Sequence, residues 1–242
     1  MKFVSLSLVL LSGSILSAQG EAILVKYSVV FNQQFDRPGT DIRHLSGNLT
    51  VFDALASDFY MLYDQRPDNT ESSIEMDIDT VWRVRADLEN QEMFFEDMFN
   101  SQMKPQWYSD SLFSMKWHIE HEEKVIDSFI CNKATSQYRG RQYFAWFCPE
   151  LSLPFGPWKL GGLPGLIIAV SDSEGNMQMK VTDIIKVAGT SRPAKKNALP
   201  YHQYLKSGKH MRNLIMQSSK ATDCVECESS VKFRSWEKVF EE

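Results

Sequence analysis

Gly161-Gly162-Leu163-Pro164-Gly165-Leu166-Ile167-Ile168 is the stretch whose reading decides the fold. It follows the Pro/Gly-rich approach Leu153-Pro154-Phe155-Gly156-Pro157-Trp158-Lys159-Leu160 and leads into an apolar strand, Leu166 to Val170. Glycine takes positive φ without a Cβ clash. Pro164 fixes its own φ and biases Leu163 towards an extended shape. Apolar residues follow at once, so the segment reads as a tight, packed turn feeding a buried strand. A phosphate cradle needs a Gly-rich turn that opens a helix, or a Gly-Lys-Ser/Thr ending. Neither is present here.

Working outward from the bend, short strands alternate with turns. Upstream, Ser111 to Glu122 reads as a strand with Met115, Trp117, Ile119 and His121 on one face. Glu122 to Lys124 reads as a turn, and a second strand starts at Val125 or Phe129 and ends at Tyr138. Arg139-Gly140 turns the chain, and Gln142 to Cys148 returns. Downstream, Leu166 to Ser171 and Met177 to Val187 flank a turn at Ser173 to Asn176. Earlier in the chain, Ala22 to Phe31, Leu45 to Leu55, Phe59 to Tyr63 and Glu92 to Phe99 read as strands. Asn32 to Thr40, Gln65 to Ser73 and Ser101 to Asp110 read as loops. Residues 74–88 fit a helix by the spacing of Ile74, Ile78, Val81, Trp82, Arg85 and Leu88, and a strand by Thr80 to Val84; helix or a mixture leads. Pro200 to Ser219 shows helical spacing. The fold class expected is mainly β: a curved antiparallel sheet, half-barrel or sandwich, with a short, partly helical C-terminal tail.

The hexapeptide Gly162 to Ile167 reads GLPGLI. Around it stand Cys131-Asn132-Lys133-Ala134, Arg139-Gly140-Arg141, Ala145-Trp146-Phe147 and Pro154-Phe155-Gly156-Pro157-Trp158. On these residues, a block of about residues 110 to 190, the chain resembles the GLPGLI family of exported Bacteroidota proteins. The resemblance implies export and a place in the cell envelope beside outer-membrane transport systems. It implies no particular chemistry. The motif residues Gly161, Gly162, Leu163, Pro164, Gly165, Leu166 and Ile167 are expected to be architectural.

Lys2 followed by the apolar run Phe3 to Leu16 and small residues at Ser17, Ala18, Gly20 and Ala22 reads as a secretory signal over residues 1–20. Residues 21–196 are expected to form the antiparallel β domain, and 197–242 a helical or irregular tail packed on it. No cysteine precedes Cys131, so no lipobox is present and a lipoprotein is not expected. No later run is long and apolar enough for a membrane span. The expected location is periplasmic or secreted. The net charge of −5 gives no basic footprint for nucleic acid.

Four cysteines in an exported chain favour disulfides. If Arg139-Gly140 is a two-residue hairpin loop, Tyr138 faces Arg141 and, counting outward, Cys131 faces Cys148. Alternation makes that a non-hydrogen-bonded pair, with Cα atoms about 4.5 Å apart, within disulfide range. Cys224-Val225-Glu226-Cys227 can be a structural disulfide, a redox pair or half of a metal site. The polar tail around it favours the structural reading. As metal ligands, Cys224 and Cys227 have only His202 and His210 near in sequence, with zinc or Cu(I) as the ion. His118 and His121 point to opposite faces of a strand, and the scattered methionines read as core. No Gly-x-Ser-x-Gly supports a triad, and no catalytic residue or cofactor is expected. The leading function is a non-enzymatic, envelope-associated binding module acting through its curved sheet. Its partner would be a small apolar ligand, a peptide or an outer-membrane transport protein. The alternative is a metal-binding or thiol-redox protein built on Cys224 and Cys227.

Overall fold

The computed structural model describes residues 21–32, 42–63, 80–97, 104–188, 192 and 197–221. Residues 1–20, expected to be a signal, residues 74–79 and the Cys224/Cys227 pair lie outside the described residues. The elements are β1 (Ala22–Asn32), β2 (Ile42–Phe52), β3 (Ala56–Tyr63), β4 (Thr80–Asp87), β5 (Glu92–Asp97), β6 (Gln106–Ser111), β7 (His118–Ile126), β8 (Phe129–Tyr138), β9 (Arg141–Cys148), β10 (Leu166–Asp172), β11 (Met177–Val187), β12 (Leu199–Pro200) and α1 (Tyr201–Ala221). They build one open twelve-stranded sheet in the order β12-β6-β5-β4-β3-β2-β1-β11-β10-β9-β8-β7. The sheet is mainly antiparallel and does not close into a barrel; only the short β12 runs parallel to its neighbour.

Alternation decides which face is buried. Val25, Tyr27 and Val29 of β1 lie beside Leu49, Gly47 and Leu45 of β2, and the non-glycine side chains among them are buried. Val84 and Ala86 continue the inner face in β4, while Arg83 and Arg85 bond Asp58 on the outer one. Residues 80–87 are therefore a strand. Over this range the helical spacing is overridden because period-two alternation buries Val84 and Ala86 against β3 and β5. Register shifts at Lys26/Tyr27, Met61/Leu62 and Ile167/Ala169 add local twist.

Three other stretches differ from expectation. Gln106–Ser111, which overlaps the expected loop Ser101 to Asp110, is strand β6, paired with β5. Pro105 stands just before the strand, where its missing N–H does no harm. Residues 112–117 of the expected strand Ser111 to Glu122 run irregularly instead. Phe113 has a φ of 40°, and Trp117 Nε1 donates to the Gly161 carbonyl at 2.9 Å. Packing against the bend wins there over alternation. Finally, Glu122 to Lys124 do not turn. β7 runs on to Ile126, and Asp127-Ser128 makes the turn with φ of 48° and 77°, the left-handed pair of a type I′ hairpin.

The β8–β9 hairpin has the expected register. Arg139 and Gly140 both take positive φ, Tyr138 pairs with Arg141, and Asn132 with Phe147. One step further, Cys131 and Cys148 form a disulfide with Cα atoms 4.2 Å apart. Such a bridge contributes roughly 3 kcal/mol by restricting the unfolded chain, and disulfides persist in oxidising compartments. Among the described residues no helix is long and apolar enough to cross a membrane.

Candidate functional site

The bend folds back over the inner face of the sheet. Phe155, Trp158, Leu160 and Leu163 are buried in the same core as Tyr27, Phe59 and Phe147. Tyr27 Oη donates to the Ile167 carbonyl at 2.8 Å. The Gly162 amide bonds the Pro154 carbonyl at 2.9 Å, and the Ile167 amide bonds the Phe155 carbonyl at 3.0 Å. The glycines serve two different needs. Gly162 has φ of 84°. Gly165 needs no unusual φ: a Cβ there would lie 2.6 Å from the Cys148 carbonyl carbon and 2.9 Å from Pro149 Cα. Gly161 likewise lies too close to the Phe113 ring to carry a Cβ, with ring carbon Cζ at 2.6 Å. Leu166 is buried and its amide bonds the Leu151 carbonyl at 2.9 Å, while Pro164 is exposed.

The same segment buries a charge that the sequence reading passed over. Trp158 adopts φ of 56°, uncommon for a bulky residue, and the reversal sends Lys159 inward. Lys159 Nζ sits 3.3 Å from Asp110 Oδ2 and 3.4 Å from the centre of the Phe95 ring. Arg139 Nη2 holds Asp110 Oδ1 at 2.7 Å, and its guanidinium lies 4.0 Å over Tyr201. Tyr201 and Tyr204 come from the first turn of α1, so this cluster ties α1 to the sheet. Burial pushes the Asp110 carboxyl up, but Lys159, Arg139 and the Ser111 amide outweigh it and hold the group below the usual carboxylate range. An Asp so held stays ionised and is no proton donor at neutral pH. The cluster is a strut. The legible signal was a lone Lys159 inside the apolar run Phe155 to Leu166.

The free edge of the sheet looks different. Among the described residues, β7 has β8 on one side and no strand on the other. At the hairpin tip the apolar residues Val125, Ile126, Phe129 and Ile130 flank Asp127-Ser128, and Val125 and Ile130 are 67% and 52% exposed. Ile119, further along β7, is 47% exposed. Exposed apolar side chains grouped on an edge mark interaction surfaces. Charged groups surround them: Lys133 Nζ bonds Glu122 at 2.7 Å and lies 3.3 Å from Glu120, and Lys124 Nζ sits 5.8 Å over Trp146. The sequence signal was the pattern Val-Ile-Asp-Ser-Phe-Ile, with two apolar pairs around a turn.

Of the metal candidates, Cys224 and Cys227 lie outside the described residues. His202 and His210 are both exposed on α1, about 12 Å apart along the axis at 1.5 Å per residue. His118 and His121 are exposed on β7. Among the described residues no group of three or more His, Cys, Asp or Glu side chains could hold an ion. Met93, Met115, Met177 and Met179 are buried as core.

No protein-family model matches the chain, and no curated protein matches it. Solved structures do. The chain is similar to PNGF-II in its P21 crystal form, with a TM-score of 0.52 at 14% identity over 81% of this chain and 34% of that one. The C2 form of PNGF-II gives 0.51 at 15% identity over 79% of this chain and 33% of that one. This chain thus spans about a third of the PNGF-II chains. At these identities the likeness is one of fold alone. An outer membrane lipoprotein-sorting protein domain from Vibrio parahaemolyticus superposes at a TM-score of 0.31, with 8% identity over 73% of this chain and 89% of that one.

Proposed function

We propose that the chain is an exported, non-enzymatic binding module of the cell envelope, working through the open edge of its sheet. The observation that carries this reading is the β7–β8 hairpin, whose edge pairs with no strand among the described residues and whose tip exposes Val125 and Ile130. An extended segment can add to such an edge by main-chain hydrogen bonds while apolar side chains seat beside it. A partner segment of an outer-membrane transport protein has that form. The inner face is a less suitable surface for a small apolar ligand, because Phe155, Trp158, Leu160 and Leu163 already fill it. The resemblance to the GLPGLI family and the Cys131–Cys148 bridge support an exported protein of the envelope.

Photo-crosslinking in living cells tests the reading. A photoreactive residue at Val125 should give a discrete adduct with another envelope protein, and one at the exposed His202 on α1 should not. Equal adducts from both positions, or none from Val125, would contradict it. An adduct with the mass of two chains alone belongs to self-association and does not support it.

A further inference from the structure

A charged, bulged edge normally discourages pairing, and β7 is both. It takes four steps from Ile119 to Glu123 while β8 takes two from Ala134 to Asn132. A partner must therefore match the edge, and one matching strand is β7 itself. We propose that two copies of this chain pair antiparallel through β7, with the twofold axis at Glu122. The proposal goes beyond the binding reading above: it concerns the same edge, for which a second copy and an envelope partner would compete.

The backbone is arranged for it. The Ile130 amide donates to Glu150 Oε1 at 3.2 Å, away from β7. Val125, its partner in the ladder, therefore belongs to a non-hydrogen-bonded pair and turns its own N–H and C=O to the free edge. Glu123, two residues away, does the same. Counting from Tyr138–Arg141, Ala134 bonds Ala145 in β9, so Ile119, opposite Ala134, also faces outward. The outward backbone groups so placed are those of Ile119, Glu123 and Val125.

A twofold axis perpendicular to a sheet brings together residues on the same face, which restricts the registers. With the axis at Glu123, two Glu123 carboxylates meet. With it at Lys124, two ammonium groups meet. With it at Val125, Glu123 meets Asp127. With the axis at Glu122, Ile119 meets Val125, Glu120 meets Lys124 and His121 meets Glu123, each twice. The two most exposed apolar residues of β7 then cover each other. Ile119 and Val125, whose backbone groups face outward, form hydrogen-bonding pairs, and the outward Glu123 lies opposite His121. The one like-charge contact is Glu122 on Glu122, and each is held by its own Lys133 at 2.7 Å. The axis falls inside the bulge, so the two bends meet.

Charge reversal tests the register. Glu120→Lys and Lys124→Glu each place like charges opposite one another at two positions, and an equimolar mixture of the two variants restores opposite charges at both. By sedimentation equilibrium up to about 0.1 mM, the mature chain should dimerise and each variant alone should dimerise roughly ten- to thirtyfold more weakly. The mixture should recover the dimer. Melting temperatures equal to wild type at a dilution where wild type is monomeric would show both variants folded; both sites are on the surface, and a double variant carrying both reversals should also dimerise. A monomeric wild-type chain, variants that dimerise as well as wild type, or a mixture that stays monomeric would each overturn the proposal. A monomer whose Val125 still crosslinks to another envelope protein would sink the dimer and leave the binding reading standing.

Discussion

Gly165→Val is expected to abolish soluble expression, and Gly165→Ala to lower stability by about 3 kcal/mol or more, the upper end for overpacking a core. The reason is what the new Cβ would meet. Its neighbours are backbone atoms, the Cys148 carbonyl group and Pro149 Cα, and not the end of a flexible side chain. Cys148 cannot retreat: it is paired with Leu166 in the sheet and bonded to Cys131. Gly175→Ala is the control. Its Cβ would meet nothing within 4 Å and carries only the strain of a φ of 69°, about 1–2 kcal/mol. Urea unfolding of the two alanine variants checks this. Equal losses at both sites would mean that the close approach at Gly165 yields easily. A fully stable Gly165→Ala that had lost binding would make the bend a working surface.

Asp110→Ala should be the most damaging single change to a charge, with a loss of about 3–5 kcal/mol, because it removes the carboxylate shared by Lys159 and Arg139 in a buried setting. Asp110→Asn with Lys159→Met removes charge of both signs and should recover a large part of that loss, since an apolar replacement of a buried pair is often neutral or better. The pH dependence follows from the depressed carboxyl. Its contribution is complete above the unfolded value of about 3.9 and disappears as pH falls below that through the lower folded value. Asp110→Asn should therefore flatten the acid limb of the stability curve. Thermal melts from neutral pH down to acid measure both effects. An Asp110→Ala variant within about 0.5 kcal/mol of wild type, the range of ordinary surface changes, would show that the cluster does not hold α1 to the sheet.

Local patterns were the legible part of this chain. The β8–β9 register follows from Arg139-Gly140 and from counting, because a two-residue loop leaves one pairing. The bend was readable as packed turn because apolar residues follow it at once. Its glycines were less so: positive φ explains Gly162, but the nearness of Cys148 to Gly165 is tertiary and leaves no local trace. Strand β6 was hidden by Pro105 and a polar run, and β4 by an accidental helical spacing around residues that alternate. The buried cluster joins Phe95, Asp110, Arg139, Lys159 and Tyr201, which stand far apart in sequence, so only the odd placement of Lys159 hinted at it. That β7 forms the sheet edge is a matter of strand order, and alternation within a strand does not carry strand order.

The bend is proposed to be architecture and the β7 edge the working surface. Amide hydrogen exchange, followed residue by residue in the mature chain at low and high protein concentration, tests it most directly. The amides of Ile119, Glu123 and Val125 should exchange fast when dilute and slow down on association, while those of Gly162, Gly165 and Ile167 should be slow and unchanged throughout. Protection that appears at the bend on association, with β7 left fast, would contradict the account.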